Sequence, residues 1–243
     1  MTDLLDPADN SLCLYGSFDS ANLIVRFALE ELGLPYRFVE INRANRANRS
    51  AEYLKFNPQG LMPVLVDPSQ SAPLFETAGI LLYLADREGR LAPEPRASDR
   101  GAFLTWLFFM SNTLHSDMRV SFRPQRYVEG DASCNALKVG LESRIRDGFD
   151  HLETCAVKSG GPYLLGAELS VLDFYAATLC RWFQLYPHQR EFDVERWPKL
   201  VALIELLQQR EAVLRAQRLE LISGTAFLNP VRPDLDEAAL TGV

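Results

Sequence analysis

The chain predicts an α/β domain followed by an all-α domain. Three observations carry this reading. A strand, a helix and a second strand follow one another within 30 residues of Leu12, which is a βαβ unit. A hairpin and an apolar helix then complete a small sheet with helices on its faces by residue 87. Beyond Ser98 no convincing strand occurs, and apolar residues recur at helical spacing in long stretches.

The elements follow in order. Residues 12–16, LCLYG, form a short β-like run. Leu23, Ile24, Phe27, Ala28 and Leu32 then mark one face of a helix, with Ser20 and Asn22 as candidate N-caps. Asn22, Arg26 and Glu30 mark its polar face, and Gly33 followed by Pro35 stops it. Residues 36–41 are a second strand. The repeat NRANRANRS sets Arg43, Arg46 and Arg49 three apart, a solvated face or a cation held near an anionic ligand. After the loop NPQGLM, a strand at about 64–66 pairs with Leu74 and Phe75 across the polar turn DPSQSAP. Glu76 and Thr77 open the apolar helix AGILLYLAD. The stretch REGRLAPEPRA has linker chemistry. Helical patterns follow at about 98–120, 134–158, 171–185 and 197–222. Ser170 with Asp173 three residues on is a capping-box variant with Asp in place of Glu or Gln. The expected domains are therefore 12–88 and 98–222, with 1–11 and 224–243 as loose surface tails.

Composition narrows the function classes. Of 243 residues, 47% are apolar and 23% charged, which excludes disorder, collagen-like repeats and coiled-coil arrays for the whole chain. The balance of 25 basic to 32 acidic residues argues against nucleic acid as a partner. The longest apolar stretch, 103–110, is far short of the ~20 residues of a membrane helix. The acidic start lacks signal-peptide features, so a cytoplasmic protein is expected. Four cysteines without CxxC spacing point to neither a disulfide scaffold nor a dithiol motif. Three histidines without metal-ligand spacing support no metal site.

A few residues carry chemistry. Pro63 stands at a strand entrance, where proline is a strand-start residue. If its peptide bond is cis, the Met62 backbone turns outward and offers its N–H and C=O to an extended peptide; the alternative is an ordinary trans proline. Glu76 and Thr77 sit where a strand hands over to a helix. That helix end suits a ligand carboxylate and the Glu side chain a ligand ammonium, unless the pair simply caps. Ser20 at the first helix can donate to a thiolate or serve as an N-cap; Ser17, Tyr15 and Asn22 are candidates for the same position. His115 ends the aromatic run WLFFMSNTLH, as a half-buried or a functional histidine, while Trp106, Phe108 and Phe109 read as core.

The segments LYGSFDSANLIVRFALEELGLPY, NPQGLMPVL, FETAGILLYLAD and LSVLDF, in that order, resemble a cytosolic glutathione S-transferase over about residues 12–222. The resemblance implies a thioredoxin-like N-terminal domain, a helical C-terminal domain, a homodimer and glutathione as cosubstrate. It makes Pro63 the family's cis-proline and Met62 the residue whose backbone pairs with the cysteinyl part of glutathione, with Leu61 lining the same groove. Glu76 and Thr77 become the pair that holds the γ-glutamyl end. Arg46 falls where a basic residue reaches the glycyl carboxylate. Ser170 and Asp173 match a helix-capping motif, and Arg181-Trp182 matches bacterial members. MSNTLHSDM resembles the beta class, which gives His115 an active-site position.

The chain also departs from that class. Its catalytic Cys position is Ala21, and the Lys after its histidine is Ser116. Serine-type classes place the hydroxyl near Ser20, a nu-like pattern brings in Asn22, and tyrosine-type classes nominate Tyr15, while Asp19 takes the strict match in one alignment. The implied function is a glutathione transferase acting on a small hydrophobic electrophile. The alternatives are a glutathione-dependent disulfide or peroxide reductase and a non-catalytic glutathione-binding module. Energetically one hydroxyl suffices. A thiol of pKa near 8.5 is only ~3% thiolate at pH 7, and lowering it by about two units takes roughly 2.7 kcal/mol. A charge-assisted hydrogen bond contributes ~1.5–3 kcal/mol and a helix N-terminus ~0.3–1 kcal/mol.

Overall fold

The computed structural model describes residues 11–187 and 190–233. A four-stranded sheet of order β2-β1-β3-β4 is built from β1 (Leu12–Gly16), β2 (Tyr36–Glu40), β3 (Val64–Val66) and β4 (Leu74–Phe75). β1 and β2 are parallel, joined by α1 (Asn22–Leu32); β1–β3 and β3–β4 are antiparallel. Alternation along β1 sorts its side chains. Leu12 and Leu14 enter the core that also holds α1 and α3 (Thr77–Glu88), while Cys13 and Tyr15 join Ile41, Tyr53 and Val64 on the other face. There a short helix α2 (Ala51–Leu54), capped by the Ser50 hydroxyl at 3.1 Å from the Tyr53 N–H, covers the sheet. Sequence periodicity misses this helix, because one turn is too short to repeat an apolar face. Gly33, at φ 71°, ends α1 as its signal predicts, its N–H donating to Glu30 O at 3.2 Å.

The second half is helical: α4 (Arg100–Phe109), α5 (His115–Phe122), α6 (Asp131–Ser159), α7 (Val171–Leu185), α8 (Pro198–Gln208) and α9 (Glu211–Leu219). A π-turn, Met110–Leu114, interrupts the helix expected over 98–120 and delivers the chain at His115. The pattern at 197–222 is two helices rather than one. Arg210 is extended (φ −72°, ψ 135°), and the break lets α8 pack on α6 and α7 while α9 packs on α1. Every residue of α7 is buried. Its capping box is formed: Leu172 N–H donates to Ser170 Oγ at 3.3 Å and Ser170 N–H to Asp173 Oδ2 at 2.7 Å. The fully buried Asp173 also accepts from Leu164 N–H at 2.7 Å, and burial raises its carboxyl to about 6.

Two expectations are corrected. The polar face of α1 is not solvated: Asn22 and Arg26 are buried, because α9 and the residue after it, Glu220, close over them. Residues 224–233 are not a loose tail. Phe227 is fully buried with its ring 5.1 Å from Phe27, and its C=O accepts from Gln184 Nε2 at 2.7 Å. Gln208 Oε1 accepts from the Phe227 and Leu228 N–H groups at 3.1 and 2.8 Å. Burying one such phenylalanine stabilises by roughly 1.5–3 kcal/mol. The rest of both expected tails, 1–10 and 234–243, lies outside the described residues. Among the described residues, no helix is long and apolar enough to cross a membrane.

Candidate functional site

Strand register assembles the site. Tyr15 pairs with Val64 and Val64 with Phe75. Continuing both antiparallel ladders past Val64 brings Pro63 beside Gly16, Met62 beside Ser17, and Pro63 beside Glu76. Residues far apart in sequence thus meet at one edge, the end of the sheet where α1 and α3 begin.

The Met62–Pro63 peptide is cis. Pro63 is buried, Leu61 and Met62 are half-buried, and the Met62 N–H and C=O enter no hydrogen bond among the described residues. The loop is held from below: Leu61 O accepts from Tyr53 Oη at 2.8 Å and Asn57 Nδ2 at 3.0 Å. Asn48 Nδ2 reaches Gly60 O at 2.9 Å and Arg49 Nη1 reaches Gln59 O at 2.9 Å, so Arg49 secures the loop.

Glu76 precedes α3 at φ 69°, a conformation that costs a non-glycine residue of order 1–3 kcal/mol and is concentrated at functional positions. Its carboxylate is exposed and accepts from Gln59 Nε2 at 3.1 Å. No side chain caps α3, which leaves its first N–H groups and their partial positive charge available. Thr77 is buried as a residue, yet its hydroxyl has no partner and is not among the atoms sealed from water.

The turn into α1 departs from expectation. Neither Ser20 nor Asn22 caps the helix, whose N-cap is Ala21 without a side-chain bond. Instead Asn22 Oδ1 accepts from Ser17 N–H at 3.0 Å and from the Ser20 hydroxyl, while Asn22 Nδ2 donates to Glu220 Oε1 at 2.9 Å. Fully buried and hydrogen-bonded through both Oδ1 and Nδ2, Asn22 shapes the turn. Gly16 makes room for it: a Cβ there falls 2.3 Å from Asn22 Cγ. The Ser20 proton is committed to Asn22, whereas the Ser17 hydroxyl is unpartnered and keeps contact with water. Tyr15 is fully buried on the opposite face, stacked on Phe56 at 5.1 Å, and burial pushes its phenol well above the usual range.

Asp19 is the residue that sequence reasoning undervalued. Held at φ 49°, its carboxylate is fully buried and accepts from Arg181 Nε and Nη2 at 2.8 and 3.0 Å. Trp182 Nε1 at 3.1 Å and Tyr186 Oη at 2.8 Å complete its shell. Its N–H donates to Glu220 Oε2 at 2.8 Å, and Arg26 Nε lies 2.8 Å from Glu220 Oε1. Burial pushes the Glu220 carboxyl up to about 7, with Arg26 and the Asp19 N–H pulling it down. These pairs span 162 to 201 residues, so local patterns carry no signal of them.

His115 stands on the helical side. Its Nδ1 is 2.9 Å from Tyr175 Oη, and its ring centroid is 5.2 Å from that of Trp182. Burial, then Arg119, lowers its pKa to about 4, so the imidazole is neutral at pH 7. Burial and the Glu76 charge keep the Tyr175 phenol protonated. Tyr175 therefore donates to Nδ1, and the tautomer assigned from this pairing leaves Nε2–H as a donor. Arg46 is exposed on the turn after β2, at φ 59°, at the same end of the sheet as Gly16.

Comparison with known proteins agrees with this architecture. Residues 23–87 match the glutathione S-transferase N-terminal domain and residues 135–205 the glutathione S-transferase C-terminal domain. The disulfide-bond oxidoreductase YfcG of Escherichia coli (strain K12) is 37% identical over 212 residues, covering 78% of this chain and 88% of YfcG. The structure of a ternary complex of BphK, a bacterial GST, is 31% identical with a TM-score of 0.68, covering 86% of this chain and 98% of BphK. A glutathione transferase homolog from Sulfitobacter with bound glutathione shares the fold at a TM-score of 0.75 and 23% identity, covering 87% of this chain and 99% of the other. The sheet domain carrying the cis-proline edge and the helical domain packed on it are the two halves that these matches span, and the chain belongs to the glutathione S-transferase family.

Proposed function

We propose that this chain binds glutathione along the Ser17–Met62–Thr77 edge and uses its thiolate to attack an electrophile, as a glutathione transferase. One observation carries the reading: the edge gathers a free backbone N–H and C=O at Met62, an uncapped helix N-terminus with the Glu76 carboxylate, and a water-accessible hydroxyl at Ser17. The cysteinyl main chain pairs with Met62 beside Leu61 and Pro63. The γ-glutamyl carboxylate meets the Thr77 hydroxyl and the first N–H groups of α3, its ammonium meets Glu76, and the glycyl carboxylate reaches Arg46. Ser17 donates to the sulfur, because the Ser20 proton is already engaged; Ser20 and Asn22 hold the turn. His115 offers Nε2–H toward the second substrate.

The thiol proton passes to solvent. A sulfur lone pair then forms the S–C bond as the leaving group departs with its bonding electrons. Turnover of an aryl halide, 1-chloro-2,4-dinitrobenzene, tests the assignment. If the hydroxyl lowers the thiol pKa by about two units, Ser17→Ala cuts the thiolate fraction at pH 6.5 by about fiftyfold and kcat/KM with it. Equal activity in Ser17→Ala, with loss in Ser20→Ala, moves the role to Ser20.

A second reading has support in the similarity to YfcG. Glutathione thiolate attacks a disulfide sulfur and expels one thiolate. A second glutathione then attacks the glutathionyl sulfur, releasing the other thiolate and oxidised glutathione. Faster turnover of hydroxyethyl disulfide than of the aryl halide selects it. We also infer a homodimer, which Phe108, 48% exposed on α4, supports with apolar surface.

A further inference from the structure

Arginines from the two halves of the chain, Arg43 on one side and Arg119, Arg123 and Arg126 on the other, are near enough to influence one another's charge. The chain has a net charge of −7, so this local excess of cations is not a matter of composition. Arg43, on the turn after β2, is half-buried, and its Nε is sealed from water without a hydrogen-bond partner. It feels the charges of Arg123 and Arg126 as well as Tyr186 and Asp19. Arg126 in turn senses Arg123, Arg119 and Arg49. Aromatic packing fixes this placement. The Phe122 ring at the end of α5 lies 5.7 Å from Tyr186, whose hydroxyl donates to Asp19 in the α1 turn. Arg119 lies beside His115.

No carboxylate of the described residues forms an ion pair with Arg43, Arg119 or Arg126. Asp19, whose charge Arg43 feels, is engaged by Arg181. Burial and like charge both push Arg43 and Arg126 below the usual guanidinium range. Arg43 is half-buried while Arg119 and Arg126 are exposed; cations held near one another favour an incoming anion, and guanidinium groups suit a carboxylate in particular.

We infer that the second substrate is anionic, its carboxylate or equivalent group received by Arg43 and Arg126 with Arg119 and Arg123 beside them. The inference rests on the proposed glutathione site and names the chemistry of its partner, in place of a wholly apolar electrophile. The anion has two sources, a second glutathione unit or a separate electrophile that carries a carboxylate.

Calorimetric titration at low salt with glutathione, S-benzylglutathione, S-(4-carboxybenzyl)glutathione and oxidised glutathione tests it. The expected result is a carboxybenzyl conjugate bound about tenfold tighter than the benzyl conjugate, the size of one charge-assisted hydrogen bond. That advantage falls to within about twofold in Arg43→Gln and in Arg126→Gln and at high salt, while the affinity for glutathione itself is unchanged. Arginine dependence confined to oxidised glutathione upholds the inference and assigns the anion to a second glutathione unit. Equal binding of the two conjugates, with oxidised glutathione indifferent to both substitutions, overturns it. Failure of glutathione and all three derivatives to bind overturns the glutathione reading and the inference with it. Arg126 is exposed, so its variant folds independently of any cost at the half-buried Arg43.

Discussion

Replacing Asp19 by Asn removes one charge from the centre of the molecule with almost no change of shape. Four donors point at that carboxylate, two from Arg181 and one each from Trp182 and Tyr186, at 2.8–3.1 Å. The partner charge has nowhere to go, because the Arg181 side chain is 0% exposed. An amide also turns one of its ends, an NH2, toward at least one Arg181 N–H, which can only donate. Breaking a buried pair in this way costs about 3–5 kcal/mol. In a chain of this size that lowers Tm by roughly 10 °C. Urea unfolding followed by tryptophan fluorescence and far-ultraviolet circular dichroism gives the value, and one continuous core across both domains predicts coincident transitions. Arg181→Met costs a similar amount, since it strands Asp19 instead. The double variant costs less than the sum of the two, because both charges leave together. A loss below about 1 kcal/mol in Asp19→Asn refutes the claim that this pair fastens the helical domain to the α1 turn.

Three further outcomes follow from the site. His115, with a pKa of about 4, stays neutral through pH 5–9, and its contribution to stability is lost as pH falls from the unfolded value of about 6.5 through 4; an NMR titration of its imidazole with a midpoint near 6.5 contradicts this. Glu76→Gln removes the counter-charge for the γ-glutamyl ammonium and weakens glutathione binding by about tenfold in calorimetry, and an unchanged affinity contradicts the placement. Ser170→Ala removes the hydroxyl of the α7 capping box and costs about 1 kcal/mol in urea unfolding, with a difference indistinguishable from zero as the opposing result.

The sequence made local order legible. Alternation and turn residues placed β1 through β4, and Gly33 marked the end of α1, because these signals act within a few residues. The places of Pro63 just before β3 and of Glu76 and Thr77 at the opening of α3 were legible for the same reason: a proline at a strand start and a strand-to-helix handover are local features. The turn into α1 was not. Ser20 and Asn22 carry cap-forming side chains, yet Asn22 serves Ser17 and Glu220 instead, and Glu220 lies 198 residues away. Tyr175 is hidden in a helix buried on every side, where an aromatic residue looks like core until its hydroxyl is found on His115. Arg43 read as part of a stripe that is solvated or sets a cation near an anionic ligand, and its neighbours of the same sign, Arg123 and Arg126, come from about eighty residues along the chain.

The central claim is that the edge at Ser17 ionises a bound thiol. An ultraviolet difference titration of glutathione bound to the protein, followed against pH, tests it without any assumption about the electrophile. The account predicts a thiolate midpoint about two units below that of the free thiol, near 8.5, and its return toward the free value in Ser17→Ala. Saturated binding with an unshifted midpoint contradicts the account and leaves a glutathione-binding module in place of an enzyme.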